Sequence, residues 1–320
     1  MFWIALVLIV AGAGSIGGFV DNYAADVVFK KNRPEVFKVV SIFAYAILML
    51  IAACVFGIEN IGFWHALLFI LAGSLDALGN IPYFKALKYE ETTSITIIRQ
   101  IGPVLALIMG VMFLNQAITW VQLIAFLFIL GAAGVVVFAK STRGAKFESR
   151  MIGLMLLAIF IWVVSDIIFV ADFVSASETN LFTGNGIWTA LFWFALGKGS
   201  LPFVLGLTLK SWRRRLKRVW KDSPRQFTLS AIGGNLIRVA TDGLWRFTTT
   251  IAPLALASVI GSVTRLLFTF GFGLAFSLIW PVFGRETVTR KAVLYHLIGV
   301  VLAVIGVILL QANLADPSHG

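Results

Sequence analysis

Eight charged side chains lie well inside apolar runs of this 320-residue sequence: Asp76, Arg99, Asp166, Lys198, Arg238, Asp242, Arg246 and Arg265. A charge at the centre of a bilayer costs at least about 2.5–3.5 kcal/mol on insertion scales, so it is retained where it pairs, lines water or binds something. Two kinds of chemistry are on offer. A carboxylate at depth can carry a proton or pair with a cationic group. A guanidinium keeps its proton and demands an anion or water. Five of the eight are basic and three are acidic. A cavity that gathers them is net positive and favours a carboxylate or phosphate held by arginine. If Lys198 and Arg246 instead snorkel to the interfaces, the count becomes even.

Spacing groups some of these residues. Asp76 and Asn80 stand at i and i+4, as do Arg238 and Asp242, so each pair shares a helical face. Two readings stand for Asp76: a proton or substrate site, and a structural salt bridge to Arg238. Arg238 and Asp242 can also pair with each other, which leaves Asp76 free. Arg99 has Gln100 beside it, and Pro103 frees a backbone carbonyl close by. Arg265 has Ser262 and Thr264 for company. Asp166 is a lone acid in an apolar run, beside Ser165 and near Trp162. It reads as a proton site or as one end of an interhelical hydrogen bond. Lys198 sits between Gly197 and Gly199, where a helix break would present backbone and ammonium together to an anion. Asp21, Lys38, Lys85, Asp172 and Lys291 fall at span ends.

The elements that carry these residues are membrane spans. Hydrophobic residues make up 59% of the chain and charged residues 13%, against roughly a quarter charged in a soluble domain. Lipid takes the place of water around such a surface. Segments of about 20 mostly apolar residues run near 2–24, 36–57, 62–86, 92–114, 118–139, 151–173, 186–209, 226–249, 253–283 and 291–312. Break signals include Gly12, Gly14, Gly17 and Gly18 in the first span, Pro82 in the third and Pro202 in the seventh. The net charge of +11 does not mark a nucleic-acid binder, because 21 of the 26 basic residues sit in or beside alternate loops. By the positive-inside rule those loops are cytoplasmic and both termini lie outside, in a multi-pass protein of the cell (plasma or inner) membrane. The basic run 210–225 is a candidate contact for anionic lipid, or a topology anchor only. The lone Cys54 forms no intrachain disulfide. His65, His296 and His319 are dispersed, without metal-ligand spacing, and there is no phosphate-binding P-loop. No catalytic residue, metal or cofactor is expected.

The chain also repeats. Five spans lie in 1–142 and five in 143–320, and an odd number inverts the second set relative to the first. A shift of 162 residues aligns the third and eighth spans without gaps. Asp76 then meets Arg238, Asn80 meets Asp242, and Tyr83 meets Trp245. Inverted repeats with midplane polar residues are a mark of transporters.

Several stretches resemble a known family. Tyr83-Phe-Lys-Ala-Leu-Lys-Tyr-Glu-Glu-Thr-Thr-Ser-Ile-Thr precedes Pro103, and Leu114-Asn-Gln-Ala-Ile-Thr-Trp-Val-Gln precedes Gly131 and Gly134. In the second half, Gly284-Arg-Glu-Thr-Val-Thr precedes Gly299 and Gly306. These are similar to the EamA-like, ten-helix members of the drug/metabolite transporter superfamily, with Asn115 and Gln116 where the family has Gly and Glu. The resemblance implies an all-α basket of two inverted five-helix halves. Helices 1, 3, 4, 6, 8 and 9 would surround a cavity, with 2 and 7 as gates. Helices 5 and 10 would pack at the back, where the four glycines allow close approach.

The expectation is a secondary transporter, monomer or homodimer, that moves a small organic metabolite by alternating access, by proton coupling or exchange. An anionic or zwitterionic solute is favoured, such as an amino acid or an organic phosphate or carboxylate. The residues expected to bind or couple are Asp76, Asn80, Tyr83, Arg99, Asp166, Arg238, Asp242, Trp245 and Arg265. The alternative is a membrane protein that transports nothing, either an intramembrane enzyme or a lipid-interacting scaffold.

Overall fold

The structure is a computed structural model. It describes residues 2–23, 34–86, 99, 101–114, 119–141, 149–178, 185–208 and 224–279, with scattered positions in 210–221 and 294–309. Among these there are nine helices and no strand: α1 (Phe2–Tyr23), α2 (Pro34–Phe56), α3 (Gly62–Ala86), α4 (Gly102–Leu114), α5 (Trp120–Ser141), α6 (Ser149–Glu178), α7 (Gly186–Thr208), α8 (Pro224–Ile251) and α9 (Leu254–Ile279). The described positions in 294–309, within the tenth expected span, are also helical. The basic run 210–225 and Gly284 to Glu286 fall largely or wholly outside the described residues, as do the side chains of Asp21 and Lys38.

Segments of α1, α3, α6, α7 and α9 are long and apolar enough to cross a membrane. The long α8 is not among them, because it carries Asn235, Arg238, Asp242 and Arg246 at helical spacing. These four line a central cavity, which explains how so polar a helix is retained in an apolar body. The outer surface is the reverse. Trp120 is 81% exposed and Val55 76%, and Phe63, Trp64, Met112 and Phe113 are exposed beside them. Such a surface suits lipid rather than water. The protein is a multi-pass membrane protein, helical throughout its described elements.

Three apolar clusters hold the helices around the cavity. The first joins α1, α5 and α9 through Val7, Ala125, Phe126, Leu256 and Ile260. The second joins α2, α3, α6 and α7 through Tyr45, Phe69, Phe169 and Phe194. The third joins the end of α3 to α4 and α6 through Ala86, Ala106, Met155 and Ile159. The principal packed pairs are α3 with α6 and α7, α2 with α7 and α8, α1 with α8 and α9, and α4 with α6 and α9.

Small residues set the tightest of these contacts. A Cβ added at Gly73 on α3 would collide with the Phe194 carbonyl of α7, and one added at Gly197 would collide with the Ile70 carbonyl of α3. The two helices therefore touch backbone to backbone. Ser74 seals the crossing by donating to the Gly197 carbonyl at 3.1 Å. A Cβ at Gly199 would come within 2.9 Å of Ala46 on α2. Gly197 and Gly199 thus admit α3 on one side of Lys198 and α2 on the other. The break for which these residues are signals is not made: α7 runs unbroken through Gly197, Lys198, Gly199 and Pro202, and α3 runs through Pro82. The close approach expected of Gly131 and Gly134 is not made to any described residue, since a Cβ at either meets no atom within 4 Å.

At one end of the bundle, short contacts join the α2–α3 turn to α7 and α3 to α6. Gly57 has a φ of +98°, a conformation that suits glycine. It turns the chain so that the Glu59 N–H donates to Thr189 Oγ1 at 2.8 Å and the Glu59 carboxylate accepts from the Asn185 N–H at 2.8 Å. Phe56 stacks on Trp188 with centroids 4.1 Å apart. Just beneath, His65 Nδ1 lies 2.7 Å from Asp172 Oδ1. Asp172 is therefore no span end. It is 5% exposed within α6, which continues to Glu178.

Candidate functional site

The central cavity has a volume of about 270 Å³, near the lower end of the roughly 300–1,000 Å³ of small-molecule sites. All eight deep charges reach it, and so do Asn80, Tyr83 and Trp245. The structure thus gathers the nine residues singled out from the sequence around one space, together with Lys198 and Arg246. The wall is contributed by α1, α3, α4, α6, α8 and α9, as the resemblance implies. Helices α2 and α7 also reach it, through Ile42, Tyr45 and Lys198, so neither stands wholly outside the wall.

Lys198 is 6% exposed. Its Nζ lies 2.7 Å from Asp76 Oδ2 and 2.9 Å from Asp242 Oδ2, and 4.0 Å from the centre of the Tyr45 ring. The salt-bridge reading of Asp76 had Arg238 as its partner. The ammonium of α7 stands there instead, because the glycine crossing brings α7 against α3 at this level. Arg246 is 3% exposed; its Nη1 pairs with Asp166 at 2.7 Å, and its Nη2 lies 3.7 Å from Asp76 Oδ1. Its guanidinium also lies over Phe194 and Phe169, at 4.3 and 4.9 Å. Neither Lys198 nor Arg246 snorkels to an interface, and Asp166 is not alone. The five side chains form one cluster that ties α3, α6, α7 and α8 together.

Smaller polar contacts fix the frame of this cluster. Asn80 Nδ2 and Trp162 Nε1 both donate to the Asp76 carbonyl, at 2.7 and 3.2 Å. Ser165 donates to the Ala72 carbonyl at 2.8 Å and accepts from Arg246 at 3.3 Å. Gly79 leaves room for the Trp162 indole, since a Cβ there would lie 2.8 Å from its ring. Across the cavity, Arg238 Nη1 donates to Ser41 Oγ at 3.2 Å, and Ser41 donates to Asn235 Oδ1 at 2.9 Å. Ser41, Asn235 and Tyr45 were not singled out from the sequence. A serine, an asparagine and a tyrosine within spans carry no charge to draw notice, and only the packing of α2 on α7 and α8 brings them in.

The third group of charges is Arg99 and Arg265. The Arg99 guanidinium lies over the Trp162 ring at 4.9 Å, and Trp162 in turn packs on Tyr83 at 5.3 Å. Arg265 is accommodated by α1. A Cβ at Gly14 would come within 3.0 Å of its Nη2, and Ser15 donates to its carbonyl at 3.1 Å. Among the described residues, neither guanidinium has a carboxylate within 4.0 Å, and Arg265 Nε is buried without a hydrogen-bond partner. No group of three His, Cys, Asp or Glu that could hold a metal occurs among the described residues.

Fold and site define a class: a helical membrane protein built around a small, charged, internal cavity. Residues 1–138 match the EamA-like transporter family of the drug/metabolite transporter superfamily, the family that the residues of α3 to α5 resemble. That is a family of membrane transporters of small molecules and not of enzymes. A protein of known crystal structure is similar over 98% of this chain and 98% of its own, with a TM-score of 0.60 and 13% identity. At that identity the likeness is one of fold alone. No curated protein matches the sequence.

Proposed function

We propose that this protein is a secondary transporter that moves a small anionic or zwitterionic metabolite by alternating access. The observation that carries the reading is the charge of the cavity. Among the described residues, five cations and three carboxylates line it, so these hold two positive charges in excess, in a place where charge is expensive. Its small volume fits a metabolite rather than a larger solute. Asp76, Asp166 and Asp242 are the carboxylates through which protons would couple, each already beside a cation whose hold on it a proton would loosen.

The same reading divides the chain into inverted halves, 1–142 and 143–320, of five spans each, with a tenth span over 291–312. Helix packing supports it. Raising or lowering each helix number by five turns α3–α6 into α8–α1, α3–α7 into α8–α2, and α1–α9 into α6–α4. The pairs α2–α7 and α4–α9 turn into themselves. All of these are packed pairs, as expected where two like halves oppose each other. Similarity to a solved fold over 98% of the chain agrees with a body that continues beyond α9. The basic loops face the cytoplasm and both termini lie outside.

Transport itself tests the proposal. In proteoliposomes, the wild type takes up or exchanges a small anion or zwitterion. Arg238→Ala and Arg265→Ala abolish that flux while folded protein remains in the membrane. Full flux in both variants, or no flux of any solute with the wild type, overturns the reading.

A further inference from the structure

Apart from Arg238, which donates to Ser41, the charges of the cavity divide into two groups. Asp76, Asp166 and Asp242 are each within 3.0 Å of Lys198 or Arg246. Those two cations are themselves buried, so all three carboxylates are engaged where they stand. Arg99 and Arg265 face the same space with no carboxylate within 4.0 Å among the described residues. Each lies within electrostatic range of the other and of the Tyr83 hydroxyl, and Asp242 acts on Arg265 from beyond ion-pair distance. A guanidinium cannot relieve the repulsion by losing its proton. Water relieves it in part. A ligand that brings two negative charges relieves it fully, and also cancels the excess of two among the described residues of the cavity wall.

We propose that Arg99 and Arg265 form a subsite for a dianionic oxyanion head group, a phosphate monoester or a dicarboxylate, with Tyr83 as a further donor. The proposal rests on the transporter reading and narrows its substrate class. The subsite is built rather than incidental. Trp162 supports the Arg99 guanidinium from one face. Gly14 leaves a recess for Arg265, and the Arg265 Nε is buried with its proton unclaimed among the described residues. Planar guanidiniums suit paired oxygens. Arg99 also precedes α4, while Arg265 is on α9. An anion that both arginines hold therefore connects the two proposed halves, and each half senses whether the cavity is occupied. A volume of about 270 Å³ leaves room for the head group and a short carbon chain.

The test uses the full-length purified protein and its thermal unfolding midpoint, which rises with any ligand that binds the folded state. The probes are inorganic phosphate and succinate, with acetate and glycine as controls, at matched ionic strength because salt screens these charges. Phosphate or succinate raises the midpoint saturably and the controls do not. A rise with phosphate alone assigns a phosphoryl head group, and a rise with succinate alone assigns a dicarboxylate. Arg99→Gln and Arg265→Gln each weaken the dianion about tenfold or more, while Arg150→Gln, an exposed position outside the cavity, leaves it unchanged. If a glutamine variant fails to fold, Arg99→Lys and Arg265→Lys replace it. They keep the charge, lose the fork and weaken binding by a smaller factor. Equal stabilisation by acetate or glycine, or wild-type affinity in the variants, overturns the subsite. Flux measurements separate this proposal from the one beneath it. Transport of a zwitterion without any dianion binding overturns the subsite and leaves the transporter standing. Dianion binding lost in the arginine variants, with no flux of any solute, upholds the subsite and overturns the transporter.

Discussion

The two ends of the charged cavity are built on opposite terms. Around Lys198 every charge stands within reach of an opposite one: two buried cations share three carboxylates across four helices. Around Arg265 the charge stands without a carboxylate among the described residues, in a recess that a glycine leaves open. A buried ion pair gives weak net stability, but breaking one leaves an unanswered charge and is costly. The first end therefore belongs to the structure as it stands. The second is open to completion by something that is not part of the chain. Buried charge alone does not mark a binding site. What distinguishes one is charge left over after the protein's own partners are counted.

Three substitutions break or sharpen this contrast. The largest effect is expected from Gly197→Leu. Its side chain would meet the Ile70 backbone, which cannot move aside, so α3 and α7 separate and the compensated cluster is lost. Size-exclusion profiles of detergent-solubilised protein should show no folded monodisperse species, and a wild-type profile would refute the backbone contact. Next is Lys198→Met, which leaves Asp76 and Asp242 facing each other without their ammonium. A loss of about 3–5 kcal/mol in folding stability is expected, read as a depressed unfolding midpoint. The smallest effect is expected from Arg265→Gln without ligand. Removing a charge that has no carboxylate should change stability by no more than about 1 kcal/mol, in either direction. If Arg265→Gln were to cost as much as Lys198→Met, the two ends would not differ and the contrast would collapse.

Much of this was legible in the sequence. The described helices lie on the expected spans, and α3 runs from Gly62 to Ala86 as its apolar run predicts, because span length follows bilayer thickness. The eight charges around the cavity were legible too, since a charge stands out in an apolar run. Their pairing was not. Asp76 is two turns and more from either end of α3, and its neighbour depends on which helix crosses there. That is decided by Gly73 and Gly197, whose meaning as a contact appears only once the two are brought together. Read along the chain, glycines on either side of a lysine look like a break. Read across the bundle, they are the clearance that two neighbouring helices need. Asp172 was misplaced for a related reason. Helix α6 has 30 residues, so an acid near its far end can still be buried against His65 on α3.

The meeting of α3 and α7 at Gly73 and Gly197 also restricts how those helices can move. Where side chains intervene, helices can slide by exchanging rotamers. Where backbone rests on backbone there is nothing to exchange, and sliding would have to lift one helix off the other. The freedom that remains is to turn about the crossing, as scissor blades turn about a rivet. Lys198 adjoins that rivet and would hardly travel. Gly186 and Thr208 stand eleven residues to either side of Gly197, some 16 Å along the axis at about 1.5 Å per residue, so a slight turn at the centre would swing both rims of α7 in opposite directions.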